Sequence, residues 1–298
     1  MTATSVSLVL GSGGARGLVH IGVIDWLVEH GYKIESVSGA SMGALVGGIY
    51  AAGKLDAYKK WVLTLSKSDV IKMLDLSFGL GGLIKGDKII NKLQNLVGTQ
   101  QIEKLPISFT AVATNIETGK EVWFTEGSLF DAIRASIAVP LVFTPVTKGK
   151  RILLDGGILN PVPIAPTMSD STDITIAVNV NGEAEDDHVI EKISATLEEQ
   201  DEGEQNWFTN MVQDLQERLN LDLFERNEQW GFYEIMSRSI EIMQNSIAKM
   251  KMAAYSPDIL IEFSSDTART YEFYRAKELI QLGYDKAEKE LRKHPHLK

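Results

Sequence analysis

Residues 37–48 read VSGASMGALVGG, and the sequence of residue types in them decides the fold. A strand candidate over residues 34–38 leads into a hydroxyl, Ser41, flanked by Gly39 and Gly43, and then into a small-residue helix over 43–52 closed by Gly53. The pentapeptide fits G-x-S-x-G, in which the glycines permit a sharp turn that projects the middle side chain at the end of a sheet strand. Upstream, residues 5–10 are apolar, too short for a helix and bounded by glycine, which predicts a buried strand. Residues 18–30 then carry apolar side chains at helical spacing up to Gly31, a C-cap. Strand, helix, strand and helix in this order predict a right-handed βαβ unit whose helices cover a mainly parallel sheet.

Downstream, a helix is expected over 55–66 and a glycine-rich loop bordering a cleft over 76–86. Asp87 caps a helix reaching Val97, and strands over 107–112 and 121–125 pair across the turn 115–119. Ser128 caps a helix over 129–138 that ends before Pro140. Strands follow over 142–146, 151–154 and 174–180. From residue 183 to 204 the chain is acidic, and two amphipathic stripes come next, one from Trp207 to Leu219 and one from Ile235 to Met250, both expected to pack on the core. A strand over 257–263 and two helices, 274–282 and 286–294, complete the reading. The expected organisation is a core over 5–181 and a mainly helical part over 182–298 packed on the same domain.

With 298 residues, 44% hydrophobic and 23% charged, the chain has the composition of a soluble globular protein. A net charge of −10 gives no field for a phosphate backbone, so nucleic acid is not an expected partner. There is no cysteine, hence no disulfide or thiol chemistry. The start MTATSVSLVL lacks the pattern of a signal peptide, and no apolar run reaches the length of a membrane span. The expected location is the cytoplasm, including the periphery of the inner membrane.

Ser41 is the candidate nucleophile, with a structural strand-to-helix connector as the alternative. It needs a proton acceptor, and the oxyanion it would create needs donors. The five histidines are His20, His30, His188, His294 and His296, and none has the strand-end context of a triad histidine. Asp155, in the LLDGG run over 153–157, stands at a strand end before Gly156 and Gly157 and is the better acceptor; its alternative is a turn former. Asn160 and the prolines 161 and 163 order the wall beside it. The loop GSGGARG, residues 11–17, opens a helix and forms a nest of backbone amides suited to an anion. It lacks the lysine-serine or lysine-threonine ending of a phosphate-binding loop and the G-x-G-x-x-G spacing of a dinucleotide site. It serves equally as an oxyanion hole, and Arg16 either organises the loop or attracts an anionic head group. No dense set of ligand-type side chains occurs in these loops, so neither metal nor cofactor is expected.

In this order, GSGGARG at Gly11, GASMG at Gly39 and DGG at Asp155 resemble the patatin-like phospholipase family, as does ASIAVP over 135–140. The resemblance covers residues 5–181. It implies a three-layer α/β/α sandwich with a mainly parallel central sheet, related to the cytosolic phospholipase A2 catalytic domain. It also implies Ser41 as nucleophile, Asp155 as its sole side-chain partner and general base, and the amides of Gly13 and Gly14 at the oxyanion. Residues 239–245, 255–261 and 278–283 resemble the bacterial single-domain branch. The implied activity is hydrolysis of acyl esters of phospholipids, lysophospholipids or small synthetic esters. Acyl transfer is the alternative within enzymes, and a weakly active regulatory binding protein, with helices 207–250 as its partner surface, is the alternative outside them. A homodimer through that apolar surface is a further expectation, as is peripheral membrane contact aided by Lys59, Lys60, Lys67 and Lys72.

Overall fold

The computed structural model describes residues 3–73, 84–183 and 232–294. The chain divides into two compact units, Met1–Gly182 with Gln244–Lys298, and Glu183–Met243. The expectations for the acidic segment, the first amphipathic stripe and most of the glycine-rich loop lie outside the described residues.

The first unit is built on strand β1 (Ser5–Leu10), whose residues alternate between two apolar faces. Val6, Leu8 and Leu10 enter the larger core cluster, and Val9 enters a second one. Helices α1 (Val19–Glu29) and α2 (Met42–Ala51) follow β1 and β2 (Lys33–Ala40), as the βαβ reading requires. Strands β1, β2, β3 (Ser108–Asn115), β7 (Ile174–Gly182) and β8 (Ile259–Ser264) pair in parallel, in the order β8-β7-β1-β2-β3. The larger cluster takes side chains from α1, α2, α3 (Leu55–Val62), α5 (Asp87–Val97) and α6 (Leu129–Ser136). On the other face, Val162, Ile164 and Ala248 of α7 (Phe232–Ala254) cover Val9 and Ala177. The result is the expected three-layer sandwich with a mainly parallel sheet. No described helix is long and apolar enough to cross a membrane.

Three strands depart from the parallel pattern, and they position the site. β4 (Lys120–Phe124) runs antiparallel along β3 from Ala111 to Asn115. β2 pairs β3 up to Val112, and β6 (Arg151–Asp155) pairs it antiparallel from Ala113. Since β4 occupies one edge of β3 from Ala111 to Asn115, β2 and β6 share the other edge. They therefore meet end to end, Ala40 opposite Val112 and Asp155 opposite Ala113. β5 (Val146–Lys148) closes a hairpin with β6.

Several boundaries differ from expectation. The helix from residue 55 ends at Val62, and α4 (Lys67–Lys72) starts anew at Ser66, whose hydroxyl and Asp69 form a capping box. Gly86, at φ 78°, caps α5, and Asp87 is its first residue. The strand expected over 142–146 is reduced to Val146, because Phe143 only bridges Ile84. The two C-terminal helices are one, α8 (Ala276–Leu291). In the second stripe, Ile235, Met236, Ile242, Met243 and Met250 are exposed, while Ala248, Met252 and Tyr255 supply the packing surface of α7.

Candidate functional site

Ser41 lies between β2 and α2 with φ 54° and ψ −123°, a backbone conformation that side chains disfavour. The turn is tight enough to demand both glycines. A Cβ on Gly39 would stand 2.4 Å from the Gly43 carbonyl, and one on Gly43 would stand 2.0 Å from the Leu10 oxygen. The Ser41 amide donates to Ser136 Oγ at 2.9 Å, and that hydroxyl donates onward to the Val112 carbonyl at 2.6 Å. Ser136, in the last turn of α6, thus ties the serine turn to the point on β3 where β2 gives way to β6.

Asp155 ends β6 and is 1% exposed. Its amide donates to Ala138 O at 3.0 Å, and its Oδ1 accepts the Gly157 amide at 2.7 Å. Burial pushes the carboxyl up to about 7, against the opposing pull of the Ser41 hydroxyl and the Gly157 amide. The Asp155 Oδ2 has no hydrogen-bond partner among the described residues.

The three glycine motifs touch one another. A Cβ on Gly17 would meet Met42 Cβ at 2.5 Å, one on Gly43 would meet Gly11 O at 2.8 Å, and one on Gly157 would meet Ser12 Oγ at 2.5 Å. The amides of Gly11, Ser12 and Ala15 donate to Val178 O, Pro161 O and Thr270 O, at 2.9, 2.8 and 2.9 Å. No such backbone acceptor takes the amides of Gly13 and Gly14 among the described residues. Arg16 is buried and donates to Ser265 O and Ala268 O, and to Asn181 Oδ1 at 2.8 Å, which fastens the loop to the chain beyond β8 and to β7. His20 is wholly buried beneath the loop with Nε2 2.9 Å from Gly11 O, and burial lowers it to about 4, so it is neutral and donates through Nε2. On the far side of Asp155, Asn160 donates through Nδ2 to Glu121 Oε2 at 2.9 Å, and Glu121 also accepts Lys251 Nζ at 2.7 Å.

Ser41, Asp155 and the loop at Gly13 and Gly14 therefore gather at one end of the sheet, while Arg16 is engaged in holding that loop. Ser136 and His20 support the same site without having been singled out for it. The signal for Ser136 was its place in ASIAVP, and for His20 its place three residues after the loop in a buried helix.

The site thus joins a serine turn and a buried strand-end carboxylate in a three-layer α/β/α sandwich. The family model described as patatin-like phospholipase matches residues 8–168. An NTE family protein of Mycobacterium tuberculosis is 37% identical over 327 residues, covering 93% of this chain and 89% of its own length. Patatin-like phospholipase domain-containing protein 7 of Rattus norvegicus is 29% identical over 194 residues, covering 63% of this chain and 14% of its own. The crystal structure of VipD from Legionella pneumophila shares the fold with a TM-score of 0.57 at 18% identity, over 99% of this chain and 67% of that one. The chain belongs to the patatin-like phospholipase family. Membership supports lipid hydrolase activity.

Proposed function

We propose that the protein is a serine acylhydrolase that cleaves acyl esters of phospholipids or lysophospholipids with Ser41 and Asp155 as a catalytic dyad. The observation that carries this reading is the end-to-end meeting of β2 and β6, which sets the Ser41 turn against a buried carboxyl raised to about 7. A base with that pKa is half ionised near neutral pH, where general-base catalysis works best. Asp155 takes the Ser41 proton as Oγ attacks the acyl carbonyl carbon, and the carbonyl electron pair moves to oxygen, facing the Gly13 and Gly14 amides. Collapse breaks the ester C–O bond, and the leaving alcohol takes the proton from Asp155. Water then gives a proton to the same carboxylate as it attacks the acyl-enzyme, and Ser41 recovers its proton when the fatty acid departs.

The test is hydrolysis of p-nitrophenyl esters of graded chain length and of lysophospholipids by wild type, Ser41→Ala and Asp155→Asn. Each variant is expected to lose roughly 10²-fold or more in kcat/KM while keeping its fold. The kcat/KM of wild type should rise with pH through about 7, because only the ionised carboxylate accepts the proton. Full activity in either variant refutes the dyad, and turnover that requires an added alcohol acceptor points instead to acyl transfer.

A further inference from the structure

Three of the four lysines that the sequence offered for membrane contact have partners of their own. Lys59 Nζ is 2.6 Å from Asp25, Lys72 Nζ is 3.8 Å from Asp69, and Lys67 lies 4.9 Å over the Tyr274 ring. A different corner combines exposed apolar and basic side chains. The β3–β4 turn and the β5–β6 hairpin lie side by side, since Asn115 pairs with Leu153 and the Ile116 amide donates to Ile152 O at 3.0 Å. Ile116 is 56% exposed and Ile152 is 38% exposed. Lys120, Lys148, Lys150 and Arg151 are exposed in the same two turns, whose one acidic residue is Glu117. Among the described residues none of these four cations forms a salt bridge; Lys148 Nζ rests 5.3 Å from the centroid of the Phe124 ring. A local excess of positive charge around two adjacent bare isoleucines, on a chain of net charge −10, complements an anionic and partly apolar surface.

We propose that this corner docks on the surface of an anionic phospholipid bilayer, its four cations toward head-group phosphates and Ile116 and Ile152 in the interfacial layer. β6 runs from Arg151 directly to Asp155, a rise of about 13 Å for an extended strand. Docking there would bring the bilayer surface to the strand that ends at Asp155. The inference concerns binding and stands apart from the proposed chemistry.

The test is cosedimentation of the full chain with phosphatidylcholine vesicles and with vesicles of equal phosphatidylcholine and phosphatidylglycerol, at low and high salt. Wild type should favour the anionic vesicles and lose binding as salt rises. Lys150→Gln with Arg151→Gln should weaken partitioning about 25-fold, from roughly fivefold per cation. Ile116→Ser with Ile152→Ser should weaken it by about tenfold. Lys54→Gln with Lys92→Gln removes the same charge elsewhere and should leave binding unchanged. Thermal melts establish that each variant is folded, and hydrolysis of soluble p-nitrophenyl butyrate in the same preparations reads the chemistry separately. No binding, equal binding to both vesicles, or equal weakening by the Lys54 and Lys92 pair overturns the proposal. Anionic-vesicle binding by a wild type that hydrolyses no ester would sustain docking and count against the acylhydrolase reading alone.

Discussion

Ser41 and Leu141 are the non-glycine residues with positive φ among the described part of the chain. A side chain held in such a conformation costs about 1–3 kcal/mol and persists where its surroundings over-determine it. At Ser41 the surroundings are the Gly39 and Gly43 contacts and the Ser136 hydrogen bond. Ser41→Ala keeps the strain, whereas Ser41→Gly releases it at the smaller cost of a more flexible unfolded chain. Both variants should lack esterase activity, and Ser41→Gly should be the more stable by about 1 kcal/mol in urea denaturation. Equal stability would mean that the turn stores no strain. The positions of Ser41 at a sharp turn and of Asp155 at a strand end were legible because glycines at fixed offsets mark where a backbone must turn or approach another. Ser136 was not, because a small polar residue near a helix end reads the same whether it faces water or anchors a buried turn. Arg16 left two readings open, and only its contacts with Ser265, Ala268 and Asn181 show what it touches.

At the scale of elements, local pattern foretold β1, α1, β2 and α2, whose order alone fixes a βαβ unit. It could not foretell that β6 would enter antiparallel on the edge that β2 leaves free, since that pairing joins residues far apart in sequence. The C-terminal helix shows the converse error. The break expected between residues 282 and 286 takes in Gly283, yet that residue lies inside α8 because the helix packs backbone to backbone on α1. A Cβ on Gly283 would stand 2.0 Å from Val19 O, and one on Gly22 would stand 1.9 Å from Ile280 O. Gly283→Ala should therefore destabilise the protein by about 3 kcal/mol, the upper range for overpacking, since backbone rather than a flexible side chain must move. Gly127→Ala, at φ 87° with open space around it, should cost about 1 kcal/mol from conformation alone. Chemical denaturation separates them; a smaller loss at Gly283 would show that α8 can slide on α1.

For the whole molecule, two buried groups with opposite shifts shape the dependence of stability on pH. His20 titrates near 4 when folded against an ordinary 6.5, so its contribution is present above pH 6.5 and is lost as pH falls toward 4. Asp155 titrates near 7 against an ordinary 3.8, so it costs stability progressively as pH rises from about 4 to 7. Between about pH 4 and 6.5 each changes stability by about 1.4 kcal/mol per pH unit, in opposite directions, and the two cancel. Asp155→Asn removes one of them. Relative to wild type, that variant should be nearly unchanged at pH 4 and more stable by up to about 4 kcal/mol at pH 8, with the gain growing through the interval. His20→Gln should do the reverse, with its deficit relative to wild type greater by up to about 3 kcal/mol at pH 7 than at pH 4. Urea denaturation of the three proteins at pH 4, 5, 6.5 and 8 measures both differences, because titrating groups elsewhere contribute equally to each. A gain for Asp155→Asn that does not vary with pH would mean that Asp155 is ionised at an ordinary pKa, and the proposed base would then lack the poise that its burial implies.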